Sequence, residues 1–289
     1  MDPGSRTADS GAPVFRLPLS WFDPGKDLVS VRVRADSAGK IGMYWYYLLQ
    51  RNISIFGTMM NVSPGGAFAY AILDATGMGR DELVRILRSA PIGGLDVEVI
   101  DAGVRGFAST GGHLLEAGSG RSIVLSASGL MGFFRGMREL MGDDAGAAFL
   151  YYAGFVTGRE WGKFLVDRVG NPHEAVKIFL EVLKSQGLAT SAEFLEGEDH
   201  YRIEAHDLIE CDVLSEYAAG KGGHMRTSHW FRGIVAGVIS AVMGGEWSVE
   251  EVECINNGSD RCAFEVRGSR ASSPDKSDET AQMHVGTGK

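Results

Sequence analysis

The chain has 289 residues, a formal net charge of −9, 44% hydrophobic and 22% charged residues, a composition ordinary for one or two soluble globular domains. The negative balance argues against a nucleic-acid partner, and no run of eighteen apolar residues argues for a membrane span. Three cysteines cannot close a disulfide framework, so reduced thiols in a cytoplasmic protein are expected.

Residues 1–25 read as a small, polar, disordered tail and lead-in with no secretory pattern, and residues 269–289 as a second disordered tail. Between them, Val29 to Arg34 alternates strictly and predicts a half-buried strand. Asp36-Ser-Ala-Gly39 is a turn, and Ile41 to Gln50 a buried helix. Ile53–Phe56 and Ala67–Ile72 are strands on either side of the loop Ser63–Gly66. Arg80 to Ser89 places Leu83, Ile86 and Leu87 at helical spacing, and Leu95 to Ile100 alternates again. The order β-α-β-β-α-β over residues 26–114 is that of a ferredoxin-like unit. This segment resembles the ACT family of regulatory domains through Asp36-Ser-Ala-Gly39 and Asn52-Ile53, although the proline of that family's turn is absent. The resemblance implies an effector site at Asp36, Gly39 and Asn52, while Gly39 and Gly42 would serve equally to make the turn and start the helix.

Glu116 to Arg121 is rich in Gly and Ser, and residues 115–121 read as a linker. Beyond it, residues 122–268 are mostly helical before ending in hairpins. Asn171-Pro-His-Glu174 is a helix start, with Asn as cap and Pro in the first turn, followed by Val176, Phe179, Leu180 and Leu183 on one face. Gly187 stops it. A hairpin is expected across Glu196–Asp199, a helix from about Ser228 to Met243, and two strands, Ser248–Cys254 and Cys262–Arg267, around Asn256–Asp260. The class is α+β: a ferredoxin-like βαββαβ domain, then a mixed domain of helices and antiparallel hairpins.

Glu251, Cys254 and Cys262 are the most specific chemical cluster. In a regular strand Glu251 and Cys254 face opposite ways, so both reach one site only if a bulge intervenes. Two thiolates and a carboxylate suit zinc, with a fourth ligand needed; His229 is the nearest imidazole donor. Buried, reduced thiols that merely pack are the alternative. His206, Asp207, Glu210 and Cys211 read as the cap and first turn of a short helix. Gly154, Gly158 and Gly162 recur every fourth residue and let another backbone approach, in a dimer or beside a ligand.

Ser228-His-Trp-Phe-Arg-Gly233 with Gly237 and Gly244, then Glu251-Val-Glu-Cys254 and Gly258-Ser-Asp-Arg-Cys262-Ala-Phe264, resemble the 4-vinyl reductase, or hydrocarbon-binding, domain family, and Ala153–Gly158 fits that family's first helix. The resemblance implies a zinc site on Glu251, Cys254 and Cys262, with Ser228 standing where the family has its first cysteine. It also implies dimerisation and an apolar pocket for an aromatic or isoprenoid-like ligand. Trp230, Phe155, Tyr152, Phe134 and Trp161 are the candidate wall residues. No nucleotide-binding fingerprint or nucleophile motif is present. The expected function is therefore a small-molecule sensor acting through a protein partner rather than an enzyme. Vinyl reduction of a tetrapyrrole, or an adaptor role like that of transport protein particle subunits, are the alternatives the resemblance leaves open.

Overall fold

The computed structural model describes residues 16–117, 120–197 and 200–268, without the side chain of Arg80, so most of both expected tails lies outside the described residues. Two compact units divide between Ile123 and Val124.

The first unit runs β1 (Ser20–Phe22), β2 (Leu28–Ala35), α1 (Ala38–Leu49), β3 (Ser54–Ser63), β4 (Gly66–Asp74), α2 (Arg80–Arg88), β5 (Leu95–Ile100), β6 (Phe107–Ser109), β7 (Leu115–Ala117) and β8 (Gly120–Ser122). β2 to β5 form an antiparallel sheet in the order β3-β4-β2-β5, with α1 and α2 between the strands as the sequence pattern requires. The alternation in β2 sends Val31 and Val33 into the core beneath Ile41, Tyr44, Leu48, Leu83 and Leu87. Tyr44 is wholly buried, and its hydroxyl donates to the Leu87 carbonyl at 2.8 Å, joining the two helices. Two stretches read as lead-in and linker carry strands. β1 pairs with β6, and β7 with β8 in a hairpin. Three-residue strands are too short for period-2 alternation to register.

The second unit contains α3 (Ala127–Met141), α4 (Asp143–Val166), α5 (Pro172–Ser185), β9 (Ser191–Glu196), β10 (Tyr201–His206), α6 (Ile209–Val213), α7 (Ser215–Gly220), α8 (His229–Met243), β11 (Trp247–Glu253), a 3-10 turn at Ile255–Asn257, and β12 (Cys262–Gly268). Its antiparallel sheet has the order β11-β12-β10-β9. Asn171 caps α5 as the sequence predicts, its Oδ1 accepting from the backbone N–H of His173 at 2.9 Å and of Glu174 at 3.1 Å. Phe179, Leu180 and Leu183 of α5 pack with Ile203, Phe231, Val235 and Phe264 in the main core. Among the described residues no helix is long and apolar enough to cross a membrane.

The glycine stripe is used inside this unit. A Cβ on Gly154 would strike the Trp230 carbonyl, one on Gly158 the Ile234 carbonyl, and one on Gly162 would come within 2.6 Å of the Ala241 side chain. From α8, Gly233 and Gly237 return the contact against the Tyr151 and Phe155 carbonyls. The contacts advance together along both helices, so α4 and α8 run in the same direction with backbones touching. The expectation that this stripe serves a dimer is corrected: a helix of the same chain already occupies it.

Candidate metal centre

β11 approaches its end with a break in register. The pairing Glu251–Phe264 is followed by Glu253–Ala263, leaving Val252 as the extra residue of a bulge. The bulge supplies the condition set by the sequence: Glu251 and Cys254 both turn inward. The 3-10 turn and the left-handed Gly258 (φ 91°) reverse the chain and deliver Cys262 at the start of β12, where it pairs with Ala205 of β10.

The fourth donor comes from α6. Cys211, Glu251, Cys254 and Cys262 are buried, with their ligating atoms all within 4.8 Å of one another. Cys211 Sγ lies 3.4 Å from Cys262 Sγ and 3.7 Å from Cys254 Sγ. Zn–S bonds of about 2.3 Å at tetrahedral angles would set neighbouring sulfurs about 3.8 Å apart, close to the two sulfur spacings seen here. Three sulfurs and one oxygen form a soft, closed set suited to a structural rather than a catalytic metal. Cys211, read from the sequence as part of a helix start, thus belongs with the hairpin donors. The expected His229 does not. Its half-buried ring meets the Arg226 carbonyl through Nε2 at 3.1 Å, and one residue of helix turns it about 100° from Ser228. Burial, then the charges of Arg138 and Arg232, push its imidazole down to about 4.

Ser228 borders the cluster. Its hydroxyl donates to Glu251 Oε1 at 2.6 Å, its backbone N–H reaches Oε2 at 3.3 Å, and its Oγ lies 2.8 Å from Cys211 Sγ. The serine thus orients Glu251 and touches the Cys211 thiol. Asn256 closes the surround: its Nδ2 donates to the Cys211 carbonyl at 2.7 Å and to Thr227 Oγ1 at 2.9 Å. Such outer contacts fix ligand orientation.

The electrostatics describe one thiolate among groups that hold their protons. Burial, then the Cys254 sulfur, pushes Glu251 up to about 9. Cys211 rises through burial; at Cys262 the bond from Cys211 lowers the thiol, but the bond to Cys254 and burial together outweigh it and push it up to about 12. Cys254 alone is lowered, by the bonds from Cys211 and Cys262, and is the thiolate the others share.

Cys211's neighbour forms a second buried feature. Glu210 accepts from the backbone N–H groups of Trp230 and Phe231, both at 2.9 Å. It thereby caps α8 in place of Ser228, whose hydroxyl faces Glu251. Burial, opposed by these two bonds, raises Glu210 to about 7.

The residues expected to line a pocket are spread out. Trp230 and Phe134 meet at 5.7 Å between ring centres, over Leu150 and Leu214. Phe155 packs in the main core, and Trp161 lies edge-on to Phe179. Tyr152 is 67% exposed on α4. In the first unit Asp36 pairs with Lys40 at 2.6 Å, and Gly39 lies in the first turn of α1 with open space around it. Asn52, left-handed at φ 57°, follows the other end of that helix, about 18 Å along its axis. None of the three lines the cavity of about 520 Å3 in this unit, which sits at the opposite end of β2 among Asp27, Leu28, Met78, Leu83 and Arg105.

Residues 215–268, from α7 to the end of β12, match the family model of the 4-vinyl reductase domain. The match takes in Glu251, Cys254 and Cys262 and begins after Cys211. Among solved structures, the phenol-responsive sensory domain of the transcription activator PoxR with phenol is similar at 16% identity and a TM-score of 0.45, over 52% of this chain and 77% of that one. A trafficking protein particle complex subunit 3 from Naegleria fowleri, covalently bound to palmitic acid, gives 16% identity and a TM-score of 0.34 over 49% and 93%. A vinyl-4-reductase family protein from Methanocaldococcus jannaschii gives 18% identity and a TM-score of 0.27 over 52% and 99%. No curated protein matches the sequence.

Proposed function

We propose that residues 124–268 form a small-molecule-sensing module of the 4-vinyl reductase domain type, stabilised by zinc on Cys211, Glu251, Cys254 and Cys262. The observation that carries the metal is the convergence of three thiols and a carboxylate from α6, β11 and β12 in one buried place. The ion would supply a crosslink between α6 and the last hairpin, joining Cys211 to residues 40 or more positions further along the sequence. The ligand of this module is a small apolar molecule of aromatic or isoprenoid-like shape. Trp230, Phe134, Phe155, Tyr152 and Trp161 are its candidate contacts, and the Trp230–Phe134 pair is the part best placed for one, because it lies where α3 packs on the rest of the unit. The first unit acts as an ACT-like regulatory partner, with Asp36, Gly39 and Asn52 as effector contacts. The protein works in the cytoplasm as a homodimer and passes its signal to another protein.

Elemental analysis of the purified full chain, with native mass spectrometry of the same sample, tests the reading. About one zinc per chain and a retained small molecule are expected. Folded protein that takes up no zinc when supplied with it, and whose melting temperature no apolar compound raises, would overturn it.

A further inference from the structure

Arg138 is 1% exposed. It lies on α3, whose other buried side chain is Phe134, one turn away on the same stripe. Its Nη2 makes one long contact, 3.4 Å, to the Thr227 carbonyl, while Nε and Nη1 are buried without a hydrogen-bond partner. Among the described residues no carboxylate lies within ion-pair distance of it. Glu210 is near enough to feel its charge, but both Glu210 oxygens are taken by the backbone of α8. Buried donors are almost always paired, and a guanidinium with donors unused on two of its nitrogens has room for an acceptor that the described residues do not supply.

The surroundings define that acceptor's shape. α3 rests on the unit by a narrow stripe, while Met131, Phe133, Leu140 and Met141 on its other sides are exposed. Beneath the stripe lie Trp230, Leu150 and Leu214. An apolar body entering under α3 would meet this floor, and a group at its end would meet the guanidinium. Arginine favours oxyanions, above all carboxylates, through paired charge-assisted hydrogen bonds.

We propose that Arg138 anchors the acidic head of the ligand, which is an amphipathic carboxylate with its apolar body held between α3 and Trp230. This rests on the sensory reading above and narrows it: the ligand is an organic acid rather than a neutral hydrocarbon or phenol. Arg138 selects by charge, and the aromatic pair by shape.

The test uses two matched probes, trans-cinnamate and cinnamyl alcohol, titrated into the full-length, zinc-supplied protein by calorimetry with Trp fluorescence as a second readout. Cinnamate is expected to bind at least about tenfold more tightly than the alcohol, the size of one charge-assisted bond. Arg138→Met should bring the two within about threefold, and Arg138→Lys should keep part of the preference. Equal or tighter binding of the alcohol by the wild-type protein, as expected if only an internal water satisfies Arg138, overturns the proposal and leaves the sensory reading standing. So does a preference that survives in Arg138→Met. Binding of neither probe counts against both. If Arg138→Met does not fold, the comparison of the two probes on wild-type protein decides alone.

Discussion

Ser228 Oγ lies 2.8 Å from Cys211 Sγ. The hydroxyl at the start of α8 and the thiol of α6 therefore border the same buried space, beside Glu251, Cys254 and Cys262.

This relationship predicts a swap. Cys211→Ser should lower zinc affinity by at least about 100-fold, more than the loss of an outer contact costs. Adding Ser228→Cys to that variant should recover most of the loss, because the two side chains border the same space. Competition with a chromogenic chelator measures both. Failure of the double variant to regain zinc would mean that the helix start cannot reach the ion.

Glu210 makes stability depend on pH. Its folded pKa of about 7 lies above the ordinary value of 4.5, so the folded state binds the proton more tightly. The contribution is complete below about pH 4.5 and is lost as pH rises through 7. Between pH 5 and pH 8 the expected loss is about 2 kcal/mol. Glu210→Gln should flatten this part of the profile, seen as a smaller change in the urea midpoint between the two pH values than in wild type. Parallel profiles would show that Glu210 does not titrate in this range.

Gly158→Ala should destabilise the second unit by at least about 2–3 kcal/mol, since the new methyl meets a carbonyl of α8 that cannot withdraw. Gly132→Ala, in α3 with nothing within 4 Å of the added carbon, should instead stabilise by about 0.5–1 kcal/mol through helix propensity. Chemical denaturation of the two variants gives opposite signs if the stripe is filled as described.

Tyr44→Phe removes one buried hydroxyl and leaves the Leu87 carbonyl without its donor. A loss of about 1–3 kcal/mol in the first unit is expected, with zinc content unchanged. A neutral result would mean that water replaces the bond.

Much of this was legible in the chain because local signals and tertiary needs agree. Asn171-Pro172 starts α5 and caps it, Val31 and Val33 alternate because one sheet face is buried, and Glu251, Cys254 and Cys262 are close enough in sequence to read as one motif. Cys211 escaped because it is 43 and 51 positions from its partners and its neighbours Asp207 and Glu210 look like helix-start residues. A signal was present: with three cysteines in the chain, the thiol missing at Ser228 had only one other source. The glycine stripe was visible, but its partner was not named, although Gly233 and Gly237 carry the same four-residue spacing on α8. Arg138 left no trace, since beside Arg135 and Glu139 on the same helix it reads as one more exposed charge and only tertiary packing reveals its burial.

The contact of α4 with α8 has a consequence for how this module could diversify. Two helices that touch through glycine have little side-chain volume between them to enlarge, shrink or exchange, so their spacing tolerates almost no drift. They form a fixed spine, and on the proposed reading adaptation to a new small molecule falls to α3, which touches the unit through few buried groups. Replacing α3 alone is then a route to altered chemical preference, with the spine and the cysteine cluster inherited intact.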